Sequence, residues 1–220
     1  MKAALFDLDG VVFDTERQYT VFWSSEGHRY HPEMPDLAFR IKGMALNEIL
    51  NKYFGDVDEE HKHIVERLDT FETQMKFVFV DGFCEYLQQL KSNGVKTAIV
   101  TSSTSKKMEQ VFKQHPFLHT EIDCIITADD IMNSKPSPEC YLTAARQLCV
   151  KPGECIVFED SFNGMKSGRS AGMRVVGLTT SNPEEEIRHY ADVIIKDFKE
   201  LCQDIWSATH ARLQHTDLWR

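Results

Sequence analysis

The chain of 220 residues has 42% hydrophobic and 27% charged side chains, a balance that excludes a disordered, collagenous or low-complexity protein and allows one ordinary α/β domain plus a modest insert. Asp and Glu number 34 against 25 Lys and Arg, a net charge of −9, which argues against nucleic acid or an anionic membrane surface as the main partner. No apolar run approaches the roughly 20 residues of a transmembrane helix.

In chain order, the run 3–8 reads as a buried parallel strand. From Asp14 to about Val80 no buried strand is legible, only helical spacing such as Ile64, Val65, Leu68, Phe71 and Met75 among Glu, Lys and His. An insert placed directly after a strand's carboxyl end lies over the crevice where open α/β sheets bind ligands, which makes it a natural lid. Phe83, Tyr86, Leu87 and Leu90 recur at helical spacing, and Gly94 supplies the stop. Further strands are expected over 95–101, 122–127, 154–159, 174–178 and 192–195. Ser137-Pro138 and Asn182-Pro183 each set a capping side chain before a proline at the first helical position. This alternation predicts an α/β fold, a doubly wound, Rossmann-like parallel sheet with right-handed crossovers. The expected division is a core of 1–14 and 81–220 with a helical cap over 15–80, and Gly82 is expected to absorb the bending between them. The stretch 207–220 carries no pattern.

The expected strand ends carry the chemistry. The first delivers Asp7-Leu8-Asp9-Gly10; carboxylates at i and i+2 of an extended chain face one point, and burying both calls for an offsetting cation, most simply a metal that prefers hard oxygen ligands. The second delivers Thr101-Ser102-Ser103-Thr104, hydroxyls entering a helix whose amides favour an anion. The fourth delivers Glu159-Asp160-Ser161, a second acidic pair of the kind that completes a Mg²⁺ shell. Lys135, in the loop Ser134-Lys135-Pro136, can offer a point charge to phosphate. Phosphoryl transfer needs this set of groups around one phosphoryl group. A carboxylate can be the nucleophile: Asp7, deeper in the strand, suits that role, and Asp9 at the turn suits the acid and base.

These residues resemble the haloacid dehalogenase-like superfamily. The segment Asp7-Leu8-Asp9-Gly10-Val11-Val12-Phe13-Asp14-Thr15 matches its first motif, Thr101 and Lys135 its second and third, and Glu159-Asp160-Ser161-x-Asn163-Gly164 its fourth. The likeness is greatest to the branch of β-phosphoglucomutase and small sugar-phosphate phosphatases, whose members carry a helical cap after the first motif. It implies Asp7 as nucleophile and Mg²⁺ ligand, Asp9 as acid/base with its main-chain carbonyl on the metal, and Asp160 with Glu159 completing the metal site. Thr101, Ser102 and Lys135 would hold the phosphate. Mutases of the branch carry a histidine four residues past the motif threonine and an arginine clamp in K-G-x-S-R, where this chain has Tyr19 and Lys42-Gly43-Met44-Ala45-Leu46. The expected function is therefore a Mg²⁺-dependent phosphatase on a small phosphate ester, a sugar phosphate by this resemblance. β-Phosphoglucomutase is the second reading and a silent phosphate-binding module the third.

Other signals take plainer readings. The six cysteines stand singly, without a C-x-x-C pair, as reduced thiols of a cytoplasmic protein do. Asp7 and Asp9 interrupt the opening MKAALF before a leader core forms. His61-Lys62-His63 do not face one another on a helix and read as a solvated face. Asp129-Asp130, Ser103, Thr104 and Ser161 read as caps, and Phe22 and Trp23 as core. A monomer is the default expectation.

Overall fold

The computed structural model describes residues 1–42, 44–55 and 58–202. The elements are β1 (Ala3–Phe6), α1 (Glu16–Tyr30), α2 (Leu37–Arg40), α3 (Leu46–Tyr53), α4 (Asp58–Gln74), α5 (Phe83–Ser92), β2 (Lys96–Val100), α6 (Ser105–Gln114), α7 (Leu118–Glu121) and β3 (Cys124–Ile126). They continue with α8 (Glu139–Gln147), β4 (Cys155–Glu159), α9 (Phe162–Ser170), β5 (Arg174–Leu178), α10 (Glu184–Ile187), β6 (Val193–Ile195) and α11 (Lys199–Cys202). The six strands pair in parallel in the order β3-β2-β1-β4-β5-β6. β1 is a continuous apolar run because it is buried on both faces, with Phe6 level with Ile99 of β2 and Phe158 of β4. From β1 the chain winds to one side of the sheet and then crosses to the other, so the connections diverge at the carboxyl end of β1, the topological switch point where such sheets bind ligands.

Alternate side chains separate two cores. Ala4 and Phe6 pack with Phe83, Tyr86, Phe158 and Phe198 on one face, where the Phe6 and Phe158 rings stack at 4.8 Å. Ala3 and Leu5 pack with Tyr141, Ala144 and Met165 on the other. A third apolar cluster, including Trp23, Leu37, Ile49, Phe54, Ile64 and Leu68, lies within α1–α4. Arg67 of α4 braces it through a two-pronged pair with the buried Glu26 at 2.9 and 2.6 Å.

Several sequence expectations change in detail. β1 ends at Phe6, not Leu8, because the chain turns at Gly10, whose φ of +76° suits glycine. The helices expected to start on Pro138 and Pro183 begin one residue later, at Glu139 and Glu184. Thr104 makes no side-chain cap to α6; Asp129 does, accepting from the Ser105 amide at 2.8 Å and hydroxyl at 2.6 Å. At Gly82, φ +80°, an added Cβ would meet the backbone of Lys199 and Phe198, so only glycine fits there. The two crossings between sheet and helical segment are zipped together by Asp14 N–H to Val78 O, 2.8 Å, and Val80 N–H to Val12 O, 3.0 Å. No helix among the described residues is long and apolar enough to cross a membrane, and the six cysteines are unpaired. The stretch 207–220 lies outside the described residues.

Candidate active site

Three adjacent strands deliver the site. Asp7 follows β1 and keeps its amide on Phe158 O at 3.0 Å, Thr101 follows β2 with its amide on Ile126 O at 2.9 Å, and Glu159 ends β4. The sheet's own ladder therefore fixes their backbones. The loop after Ile131 brings Lys135 in between, held by Glu139 of α8, whose carboxylate accepts from the amides of Met132 and Asn133 at 2.8 and 3.0 Å.

Lys135 is buried, and its ammonium donates to Asp7 Oδ1 at 2.5 Å, Glu159 Oε1 at 2.7 Å and Val100 O at 3.0 Å. Glu159 is fully buried and accepts five hydrogen bonds in all: from Lys135, from the Tyr141 hydroxyl at 2.8 Å, from the amides of Asp160 and Ser161 at 3.1 and 3.2 Å, and from the Ser161 hydroxyl at 3.0 Å. The Ser161 hydroxyl also accepts from Gly164 N–H at 3.0 Å and caps α9. Gly164 is glycine because a Cβ there would collide with the Glu159 carboxylate. Asn182, expected as a cap, instead donates to the Asp160 carbonyl at 2.9 Å, and the Ser181 hydroxyl donates to the Asp160 carboxylate.

Asp7 and Asp9 do not face one point, because the strand has ended before Asp9. The Asp9 carboxylate turns aside to accept from Thr15 Oγ1 at 2.5 Å, Lys107 Nζ at 2.5 Å and Ser103 Oγ at 3.3 Å. Lys107, its side chain fully buried, also lies 4.6 Å from the Tyr19 ring centre, and the Tyr19 hydroxyl donates to Glu72 Oε1 at 2.7 Å. Sequence reading missed Lys107. Its signal was position: it shares the inward face of α6 with Met108 and Val111, where an unpaired lysine would be untenable.

One cavity of about 440 Å³ is bordered by Asp7, Asp9, Thr101, Ser102, Lys135 and Asp160. Six of the seven residues singled out in the sequence thus converge, with Glu159 directly behind them. Trp23, read as core, also reaches this wall, whereas His63 is exposed, pairing with Glu59 and Glu66 at 3.5 Å.

Asp7, Glu159 and Asp160 bring carboxylate oxygens within 4.8 Å of one another. One buried ammonium, Lys135, pairs with two of these three carboxylates, Asp7 and Glu159. Burial raises the Asp7 pKa to about 7 despite the opposing pull of Lys135, and burial, with Glu16, Glu159 and Asp7 adding, pushes Asp160 well above the carboxylate range. Burial disfavours a charged Lys135 too, but the Asp7 and Glu159 carboxylates outweigh it and raise its pKa. Hard oxygen donors with unbalanced negative charge suit a divalent cation of the Mg²⁺ type. The Asp9 carboxylate is not part of this cluster.

Residues 4–178 match the family model described as haloacid dehalogenase-like hydrolase. Validoxylamine A 7'-phosphate phosphatase of Streptomyces hygroscopicus subsp. limoneus is 33% identical over 205 residues, covering 91% of this chain and 95% of that protein. The β-phosphoglucomutase of Bacillus subtilis (strain 168) is 26% identical over 219 residues, covering 93% of each. The crystal structure of β-phosphoglucomutase from Clostridium difficile, 24% identical, shares the fold with a TM-score of 0.77 over 97% of both chains.

Proposed function

We propose that this chain, which belongs to the haloacid dehalogenase-like hydrolase family, is a Mg²⁺-dependent phosphatase that cleaves a small phosphate monoester through an aspartyl-phosphate intermediate. The observation that carries this reading is the convergence of Asp7, Asp9, Thr101, Ser102, Lys135 and Asp160 on one cavity.

Lys135 holds Asp7 Oδ1 and so orients the other oxygen, which attacks phosphorus. The bond from phosphorus to the leaving oxygen breaks as Asp9 gives that oxygen a proton. Asp9 then takes a proton from water, the water oxygen bonds to phosphorus, and the Asp7 ester bond breaks to release inorganic phosphate. Thr101, Ser102 and Lys135 hold the non-bridging oxygens. Asp7, Asp160 and the Asp9 carbonyl, with Glu159 beside them, would hold Mg²⁺, which would supply positive charge against the phosphoryl oxygens. Glu159 acts from behind: its five hydrogen bonds fix Lys135 and the turn that carries Asp160. Residues 15–80 serve as the cap over this chemistry.

Two positions favour hydrolysis over mutase chemistry. Tyr19, with its hydroxyl on Glu72, and Leu46, the first residue of α3, both border the cavity. Leu46 cannot hold a second phosphate as a guanidinium would, a loss of about 1.5–3 kcal/mol for each charge-assisted hydrogen bond. The matching phosphatase is also the more similar relative, 33% identical against 26% for the mutase.

Phosphate release from a panel of monoesters tests the reading. Release is expected to require Mg²⁺ and to fall at least ~10³-fold in Asp7→Asn. Conversion of β-glucose 1-phosphate to glucose 6-phosphate without free phosphate would assign a mutase instead, and no turnover in either assay a binding protein.

A further inference from the structure

Among the described residues, every cation bordering the cavity already has a carboxylate partner. Lys135 holds Asp7 and Glu159. Lys42 lies 3.1 Å from Glu16 and reaches across to the Ser181 carbonyl at 3.4 Å, while Lys106 of α6 pairs with Asp69 of α4. These two lysines therefore tie the helical segment to the sheet rather than await a second anion. Away from the reacting phosphate, the wall sets Glu16, Asp69, Glu72 and Asp129 against Lys42 and Lys106, an excess of two negative charges.

The polar atoms on that side are mostly acceptors. The Tyr19 hydroxyl donates to Glu72 and the Thr20 hydroxyl to the Glu16 carbonyl at 2.8 Å, so neither proton is left for a ligand. The remaining wall is apolar: Trp23, Ile41, Leu46, Ile49, Val65 and Leu68. A phosphate or carboxylate on the leaving group would meet like charge beside low-dielectric walls. A sugar with hydroxyls on every face would press some of them unpaired against that wall.

We infer that the leaving group is an alcohol with an apolar face, bearing a hydrogen-bond donor or protonated amine toward Glu16, Asp69 and Glu72 and no second anionic group. This rests on the phosphatase reading and narrows it away from the sugar phosphate that the family resemblance implies.

The test measures kcat/KM with Mg²⁺ for benzyl phosphate, its 4-aminomethyl and 4-carboxy derivatives, and glucose 6-phosphate, all esters of primary alcohols. The 4-aminomethyl ester is expected to exceed the 4-carboxy ester by about tenfold or more, and benzyl phosphate to exceed glucose 6-phosphate. In Leu46→Arg, checked for folding by its melting temperature, the 4-carboxy ester is expected to gain and the 4-aminomethyl ester to lose. A smaller preference in the wild type, or glucose 6-phosphate as the better substrate, overturns the inference and leaves the phosphatase reading standing. No release from any ester that depends on Mg²⁺ and Asp7 overturns both.

Discussion

Lys107 places a full positive charge inside the protein at Asp9, between the sheet end and the Tyr19–Glu72 pair of the helical segment. In the proposed mechanism Asp9 carries a proton to the leaving oxygen, so a group that sets the direction of its carboxylate would act on the transition state more than on binding. Lys107→Met is expected to lower kcat by about tenfold or more while KM changes less. It should also lower the melting temperature, because it leaves one partner of a buried pair behind; the usual cost of about 3–5 kcal/mol is reduced here because the Asp9 side chain is 17% exposed. Steady-state kinetics beside a thermal melt separates the two effects, and an unchanged kcat would remove Lys107 from the mechanism. Asp7, Asp9, Thr101 and Lys135 were legible as residues because each is a polar group where a buried strand or loop should not waste one. Lys107 was not, since a lysine on a helix is ordinarily read as solvated until its face is known.

Among the elements, the turn from β4 into α9 joins fold and site most tightly. Its Glu159 carboxylate is gripped by Lys135, Tyr141 and three groups of the turn itself, and the first coil of α9 passes so close that only glycine fits at 164. Gly164→Ala should push the carboxylate off Lys135, costing about 1–3 kcal/mol of stability and lowering turnover together. Gly153→Ala, where an added Cβ meets nothing within 4 Å, is the matched control and is expected to leave both unchanged. Circular dichroism melts with a phosphate-release assay on the two variants check this. The order and type of these elements could be read from apolar runs alternating with helical spacing, but their ends could not. Strand β1 stops at Phe6 because Gly10 turns the chain, and α6 takes its cap from Asp129, 24 residues away from Ser105. Both depend on contacts that local sequence does not display.

For the whole molecule, the buried carboxylates make stability depend on pH and metal. Asp7 rises from its ordinary 3.8 to about 7 on folding, and Asp160 rises also. The folded state therefore holds more protons than the unfolded chain across this interval. By linkage, ionisation of Asp7 takes stability from the metal-free protein as pH climbs from about 4 to 7, with its full penalty present above 7, and Asp160 acts in the same direction. In EDTA the melting temperature should be lower at pH 7.5 than at pH 5.5. Mg²⁺ should recover most of the difference at pH 7.5, and Asp7→Asn should shrink it. A melting temperature in EDTA that does not fall over this range would mean that the Asp7 and Asp160 carboxylates are not destabilised by burial.

The sequence by itself determined the parallel α/β sheet and the chemistry at its strand ends, because buried strands must be apolar and the polar residues that interrupt them stand out. Tertiary structure alone decided which groups meet. It turned Asp9 away from Asp7 toward Lys107, enclosed Glu159 behind Lys135, and paired Lys42 and Lys106 with carboxylates so that the leaving-group side of the cavity is apolar and slightly acidic. Those pairings join residues as much as 98 positions apart, and no local periodicity encodes them. They follow from the cost of burying a charge without its partner, which acts only once the chain has folded and the partners are within reach.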